Sequence, residues 1–201
     1  MDTAAHALLV IDVQRAFVAG PTAVPSADTL ASAVARLLAL ARDAGALVVH
    51  LQNDGHTGAA DEPGTEGWKP FFPPADEELV IRKSDDDAFV GTGLESALLD
   101  NGVETVVLCG VQSEMCVAAT ARGAMRRGLS IVLPRDAHGT YPVPAEAGGI
   151  AVPASHVSRV AEWSLGDEIW APPSASDVAF TRVARSLNAM PAETKPATGL
   201  N

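Results

Sequence analysis

A parallel sheet wound on both faces by helices is the fold this sequence predicts, and three of its features predict it. Short aliphatic runs without polar alternation read as strands buried on both faces. Between most of them lie segments whose apolar residues recur at helical spacing, and glycines close several of those segments. Strands alternating with helices call for right-handed crossovers, and so for a doubly wound α/β layer sandwich.

The first run, Ala7 to Ile11, ends at Asp12. From Asp28 the positions Leu30, Val34, Leu37, Leu38 and Ala41 describe a helix that Ser26 or Asp28 can cap and Gly45 closes. Leu47 to Leu51 is a second buried strand. Gln52 to Glu78 holds several Gly and Pro residues with Trp68, Phe71 and Phe72, too long for a mere connector. Ordered loops of that length usually help to build a site. Leu79 to Ile81 is a short strand leading to Lys83, and Thr92-Gly93-Leu94-Glu95 has capping-box spacing for a helix that ends near Gly102. Thr105 to Cys109 is the fourth strand. Ser113 to Arg127 is its following helix, which Gly128 stops before a strand over Ser130 to Leu133. A helix around Ala154 to Ser164 and a strand at Glu168 to Trp170 complete the pattern. The domain is expected over residues 1–186, with 187–201, which includes Pro191, Lys195 and Pro196, as a flexible C-terminal tail.

The composition bounds the function. At 201 residues, 47% hydrophobic and 19% charged, the chain suits one globular domain able to bury roughly 70% of its unfolded surface. A formal charge of -11 leaves no basic stripe for a phosphate backbone, so nucleic acid is not an expected partner, and anionic membranes are disfavoured for the same reason. Met1-Asp2-Thr3 carries no positive signal region and no apolar run reaches membrane-spanning length, so a cytoplasmic location is expected. In that reducing setting Cys109 and Cys116 are expected to remain thiols.

In doubly wound folds ligands bind beyond the carboxyl ends of the strands. Asp12 ends the first strand and Cys116 follows the fourth, so both can reach that crevice. Cys116 falls in the first turn of its predicted helix, where free N–H groups and the helix dipole favour a thiolate. A small buried hydrophobe is the alternative for any isolated cysteine, and it is the expected state of Cys109 inside Val106-Val107-Leu108. Asp12 reads equally as a base or as a cap on the turn after its strand. Lys83 beside Arg82 reads more readily as an exposed cation. Spacing alone does not join these residues.

A family resemblance does. Asp12-Val13-Gln14 with Phe17, Lys83 with Asp87-Ala88-Phe89-Val90-Gly91-Thr92-Gly93-Leu94, Gly110-Val111-Gln112-Ser113-Glu114-Met115-Cys116-Val117 with Thr120, and Asp136-Ala137-His138 resemble the isochorismatase-like cysteine hydrolases. The likeness runs from about Leu8 to Trp170 and implies a six-stranded parallel sheet with helices on both sides. It implies that Asp12 is the general base, that Lys83 stabilises its anionic partners, and that Cys116 attacks a carbonyl carbon to form a thioester. It also implies a cis peptide between Val111 and Gln112, an oxyanion hole made by the N–H groups of Gln112 and Cys116, and substrate contacts from Gln14, Phe17 and Trp68, although Phe17, Trp68, Phe71 and Phe72 read equally as core filling for their loops. The implied reaction is cleavage of a small, non-peptide C–N bond (amide, cyclic amide or carbamoyl) without a cofactor. Relatives are often homodimers or homotetramers.

True isochorismatases lack the cysteine, so Cys116 argues against that activity. The alternatives are an isochorismatase-type hydrolase of another small substrate and a noncatalytic binding relative; the intact Asp12, Lys83 and Cys116 favour the enzyme. Asp54-Gly55-His56 matches the metal-binding Asp-x-His of nicotinamidases, but His50 and His138 offer no tight spacing to complete a site, and no metal is expected. Asp54, Asp61, Glu62, Asp85, Asp86 and Asp87 flank the site loops. They read first as a solvated acidic face, and alternatively as a rim that favours a cationic amide. Such a rim suits the cyclic amide of an aminosugar antibiotic, the substrate of the streptothricin hydrolases in this superfamily, which the chain resembles.

Overall fold

The computed structural model describes residues 4–146 and 149–183. The segment expected as a tail, 187–201, lies outside the described residues. Seven parallel strands form the sheet: β1 (Ala7–Ile11), β2 (Leu47–Asn53), β3 (Leu79–Lys83), β4 (Thr105–Val111), β5 (Ser130–Val132), β6 (His138–Gly139) and β7 (Ile169–Trp170). Six of them run in the order β3-β2-β1-β4-β5-β7, as the family resemblance implies, and the two-residue β6 pairs with the far end of β4 through Gly110 and Val111. The helices are α1 (Arg15–Val18), α2 (Ala27–Ala44), α3 (Leu94–Asp100), α4 (Ala118–Met125) and α5 (Ala154–Trp163).

β1 is central, with Leu8 paired to Val48 of β2 on one side and to Val107 of β4 on the other. Its successive side chains point to opposite faces. Ala7, Leu9 and Ile11 pack with Leu94 and Leu98 of α3 and with Ala118, Ala121 and Ala124 of α4. Leu8 and Val10 pack with Leu30, Val34, Leu37 and Leu38 of α2 on the other face. Each fully buried leucine of this kind contributes ~1.5–3 kcal/mol relative to an exposed one. α2 ends where the sequence places its stop: Gly45 takes the left-handed φ of 70° and returns its N–H to the last turn.

Strand order reverses beside β1, since β2 and β3 lie to one side and β4 to the other. The crevice is therefore at the carboxyl ends of β1 and β4. Gly110 brings those strands close together there: it has a φ of 127°, and a Cβ would run into the Ile11 carbonyl.

Two local expectations differ. The capping box before α3 does not form, because Gly93 is its N-cap residue and Thr92 instead accepts the Leu94 N–H at 3.2 Å. The helix expected from Ser113 opens instead as a wide π turn over Ser113–Val117, in which the Val117 N–H reaches the Gln112 carbonyl at 3.1 Å and Met115 leaves helical geometry. Regular α-helix begins only at Ala118.

Candidate active site

Asp12 leaves β1 in a left-handed conformation, φ 51°, that few residues other than Gly, Asn and Asp adopt. Its N–H still bonds the Leu51 carbonyl of β2 at 2.9 Å while its carbonyl accepts the Gln14 N–H at 2.8 Å, so the chain turns sharply at the carboxyl end of β1. The carboxyl group is thereby buried beside the crevice. Lys83 arrives from two strands away as the last residue of β3, in register with Asn53 of β2. Its side chain is fully enclosed and spans the end of β2, with Nζ 2.9 Å from Asp12 Oδ2. The same ammonium lies 3.3 Å from the Asp85 carbonyl, 3.5 Å from Asn53 Oδ1 and 3.4 Å from Cys116 Sγ. Cys116 is half-buried in the π turn after β4, and its Sγ is also 3.4 Å from Asp86 Oδ1. Three separate strands thus deliver a carboxylate, an ammonium and a thiol to one point.

Burial dominates the electrostatics. It pushes the Asp12 carboxyl up to about 6, against the pull of Lys83 and Cys116, with Asp61 adding to the rise. Burial alone would lower Lys83, but the charge of Asp12, with the hydrogen bonds to Asp12 and Cys116, outweighs it and raises the lysine, which stays an ammonium. Burial pushes the Cys116 thiol up as well, and Asp12 and Asp86 reinforce the rise against Lys83. Desolvation and two carboxylates thus oppose the thiolate that the start of a helix favours. What the arrangement offers is a neutral thiol beside a base. Among the described residues Asp12 Oδ1 is buried without a hydrogen-bond partner, an acceptor open to a proton.

The other expected residues divide. The Val111–Gln112 peptide is cis, at the start of the turn that carries Cys116, with Val111 buried and Gln112 half-buried. Gln14 is buried and spent on scaffolding: its Nε2 donates to the Asn53 and Trp68 carbonyls, each at 3.0 Å, and its Oε1 accepts the Asn53 N–H at 2.9 Å. Trp68 is held by an indole N–H bond to Asp54 at 2.9 Å, and Arg82 covers its ring at 5.1 Å. Phe17 packs half-buried against the α2 side of the core. Asp54 is paired with Arg82 at 2.8 Å, and the His56 ring contacts the neighbouring Thr57 carbonyl. Among the described residues no group of His, Cys, Asp and Glu side chains has the arrangement of a metal site.

Beneath the turn, Ser113 Oγ contacts His138 Nδ1 at 2.9 Å and Ser158 Oγ at 3.0 Å. His138 Nε2 lies 3.5 Å from Glu162 of α5, so the Asp136-Ala137-His138 motif buttresses the turn. Sequence reasoning did not assign this role to Ser113 or Glu162, and no local spacing signals it. An open groove of about 380 Å³ adjoins the Lys83 end of the site, lined by Asp54, Lys83, Asp85, Val90 and Gly91 among others. A larger cavity of about 580 Å³ lies at the opposite, N-terminal end of β2 beside Leu47 and Arg182, remote from this chemistry.

Comparison with known proteins agrees with this geometry. Residues 6–163 match the isochorismatase domain. A streptothricin hydrolase from Streptomyces noursei is 54% identical over 183 residues, which cover 90% of this chain and 73% of that protein. A maleamate amidohydrolase from Pseudomonas putida is 32% identical over 66% of this chain and 71% of its own length. The crystal structure of an isochorismatase from Pseudomonas putida KT2440 superposes with a TM-score of 0.79 at 27% identity, over 86% of this chain and 90% of that one. With the sheet order, the cis turn and the convergent Asp12, Lys83 and Cys116 in place, the match over most of the chain settles its membership: the protein belongs to the isochorismatase family of hydrolases.

Proposed function

We propose that the protein is a cysteine amidohydrolase that cleaves a C–N bond of a small molecule through a thioester on Cys116. The observation that carries this reading is the contact of one buried ammonium, Lys83 Nζ, with both Asp12 at 2.9 Å and the Cys116 sulfur at 3.4 Å. A thiol attacks an amide only as it loses its proton, and the unpartnered oxygen of Asp12 is a buried acceptor next to it. With a folded-state value of about 6, Asp12 is ionised at neutral pH yet basic enough to hold the proton in the transition state. Lys83 offsets the negative charge as it passes from carboxylate to sulfur.

The steps balance without a further reactant than water. Sγ bonds to the carbonyl carbon as Asp12 takes the thiol proton, and the oxyanion lies toward the N–H groups of Gln112 and Cys116, donors worth ~3 kcal/mol apiece in comparable sites. Collapse breaks the C–N bond, with the Asp12 proton passing to the leaving nitrogen. Water, deprotonated by Asp12, then cleaves the thioester C–S bond and returns the proton to the sulfur. Products are an acid and an amine, joined in one molecule when the substrate is cyclic.

The likeness to a streptothricin hydrolase and to a maleamate amidohydrolase supports amides as the substrate class and makes streptothricin the first compound to test. Incubation with streptothricin, primary amides, N-carbamoyl compounds and lactams, read by ammonia release and by mass, is the experiment. Gain of one water by a cyclic substrate, lost in step with alkylation of a single thiol, is the expected result. Turnover that survives full alkylation of Cys116 sinks the reading.

A further inference from the structure

One charged group touches the nucleophile and has no part in the steps above. Asp86 is exposed, three residues beyond Lys83, and its Oδ1 stands 3.4 Å from Cys116 Sγ. Its backbone is held in place: the buried Thr120 hydroxyl on α4 donates to the Asp86 carbonyl at 3.2 Å and accepts the Ala88 N–H at 3.1 Å. The backbone that carries the carboxylate is thus tied to the helix that continues the turn of Cys116.

The neighbouring carboxylates are occupied otherwise. Asp54 pairs with Arg82, Asp87 with Arg126 at 2.9 Å, and Asp12 with Lys83. Asp61 is buried and accepts from Asn53 at 2.6 Å, Glu62 accepts the Gly58 N–H, and Asp85 accepts the Asp87 N–H. Asp86 forms no salt bridge among the described residues. Of the six carboxylates that flank the loops in sequence, it is the one whose uncompensated charge faces the sulfur.

When Sγ comes within about 3–3.5 Å of a carbonyl carbon, substituents a few bonds from that carbon lie against Asp86. We propose that Asp86 sets the substrate class, selecting an amide that carries a protonated amine close to the scissile carbonyl and turning away one that carries a carboxylate there. The inference rests on the amidohydrolase reading and deepens it. It has a kinetic corollary, because Asp86 is one of the charges that hold the thiol proton in place. An ammonium seated on Asp86 cancels that charge, so the matching substrate eases ionisation of the thiol that attacks it.

The test separates charge selection from turnover. Alkylation of Cys116 is timed by intact mass with 2-bromoethylamine, iodoacetamide and iodoacetate, in wild type and in Asp86→Asn, with Cys116→Ala identifying the labelled thiol. Asp86→Asn is expected to raise the iodoacetate-to-iodoacetamide rate ratio and to lower the bromoethylamine-to-iodoacetamide ratio, each by about tenfold at low salt. Added salt moves both ratios in wild type in those same directions, raising the first and lowering the second, a measurement that needs no variant. The substrate arm compares 3-aminopiperidin-2-one with 3-methylpiperidin-2-one. The amino lactam has the higher kcat/KM in wild type, and Asp86→Asn slows it while speeding the methyl lactam. Alkylation ratios that ignore both the variant and salt overturn the role of Asp86, and leave the hydrolase reading standing if amides are still cleaved. Ratios that follow Asp86 in a protein that cleaves no amide uphold the charge selection and sink the hydrolase reading instead.

Discussion

Cys109 and Cys116 lie on the same strand-to-helix stretch, and burial pushes both thiols up. Around Cys109, inside β4, desolvation is the sole cause, and the nearest acceptor is the Leu9 carbonyl at 3.6 Å. Around Cys116 the same desolvation is joined by two carboxylates and opposed by an ammonium. A raised thiol therefore does not tell the inert cysteine from the reactive one. On the proposed reading the difference is a base able to take the proton and a cation that stays when it leaves, which of these two thiols Cys116 has.

The largest effect expected from that difference is the loss of turnover in Cys116→Ala, by about a thousandfold or more, equivalent to ~4 kcal/mol of barrier. The half-buried turn accepts a smaller side chain, so circular dichroism and the melting temperature should stay near wild type. Activity within tenfold of wild type would break the comparison at once.

Lys83→Met tests the cation separately. Its charge holds Asp12 down at about 6, so its removal moves that group higher. As the proposed base, Asp12 must be ionised to act. The wild-type kcat/KM is therefore expected to rise with pH through about 6 and level off above it, and to fall tenfold per unit below. In Lys83→Met the midpoint should move upward, and the plateau should drop by about a hundredfold. A midpoint that stays at the wild-type pH would assign the titration to some group other than Asp12.

How these neighbours assemble was only partly legible in the sequence. The aliphatic runs of β1, β2 and β4, the apolar stripe of α2 and its Gly45 stop follow from periodicity and glycine chemistry, and the structure has them. β6 and α1 are too short to show a period. The meeting of Asp12 and Lys83 has no local signal at all, because it depends on β3 lying two strands from β1; only the resemblance to a family brought these residues together. The π turn also eluded a pattern reading, since its residues are compatible with an ordinary helix and the wide turn is visible only in its hydrogen bonds. The acidic run at Asp85, Asp86 and Asp87 reads as one feature in sequence, yet backbone bonds and Arg126 give each residue a different task.

Gly123→Ala probes that division of labour with a smaller effect. The α4 backbone at Gly123 approaches Asp87 so closely that a Cβ would stand 2.4 Å from Oδ1, the atom that accepts the Phe89 N–H. The carboxylate must shift, and with it the loop that carries Asp86. A loss of ~1–2 kcal/mol of stability is expected, with a several-fold fall in kcat/KM. An unchanged denaturation midpoint would show that the loop yields freely and does not fix Asp86.

The smallest effect belongs to the thiol that the comparison treats as inert. Cys109 of β4 is fully buried in the core on the α2 face of the sheet, so Cys109→Ala removes one sulfur from a packed core and leaves a small void. A loss of about 1 kcal/mol of stability is expected, seen as a lower midpoint in urea with the same slope. Turnover should match wild type, because no group around Cys109 can take its proton. In the native protein iodoacetamide should label Cys116 and spare Cys109, while in denaturant both should react. If Cys109 is labelled in the folded chain as fast as Cys116, then exposure and not the Asp12–Lys83 pair decides reactivity, and the distinction between the two thiols fails.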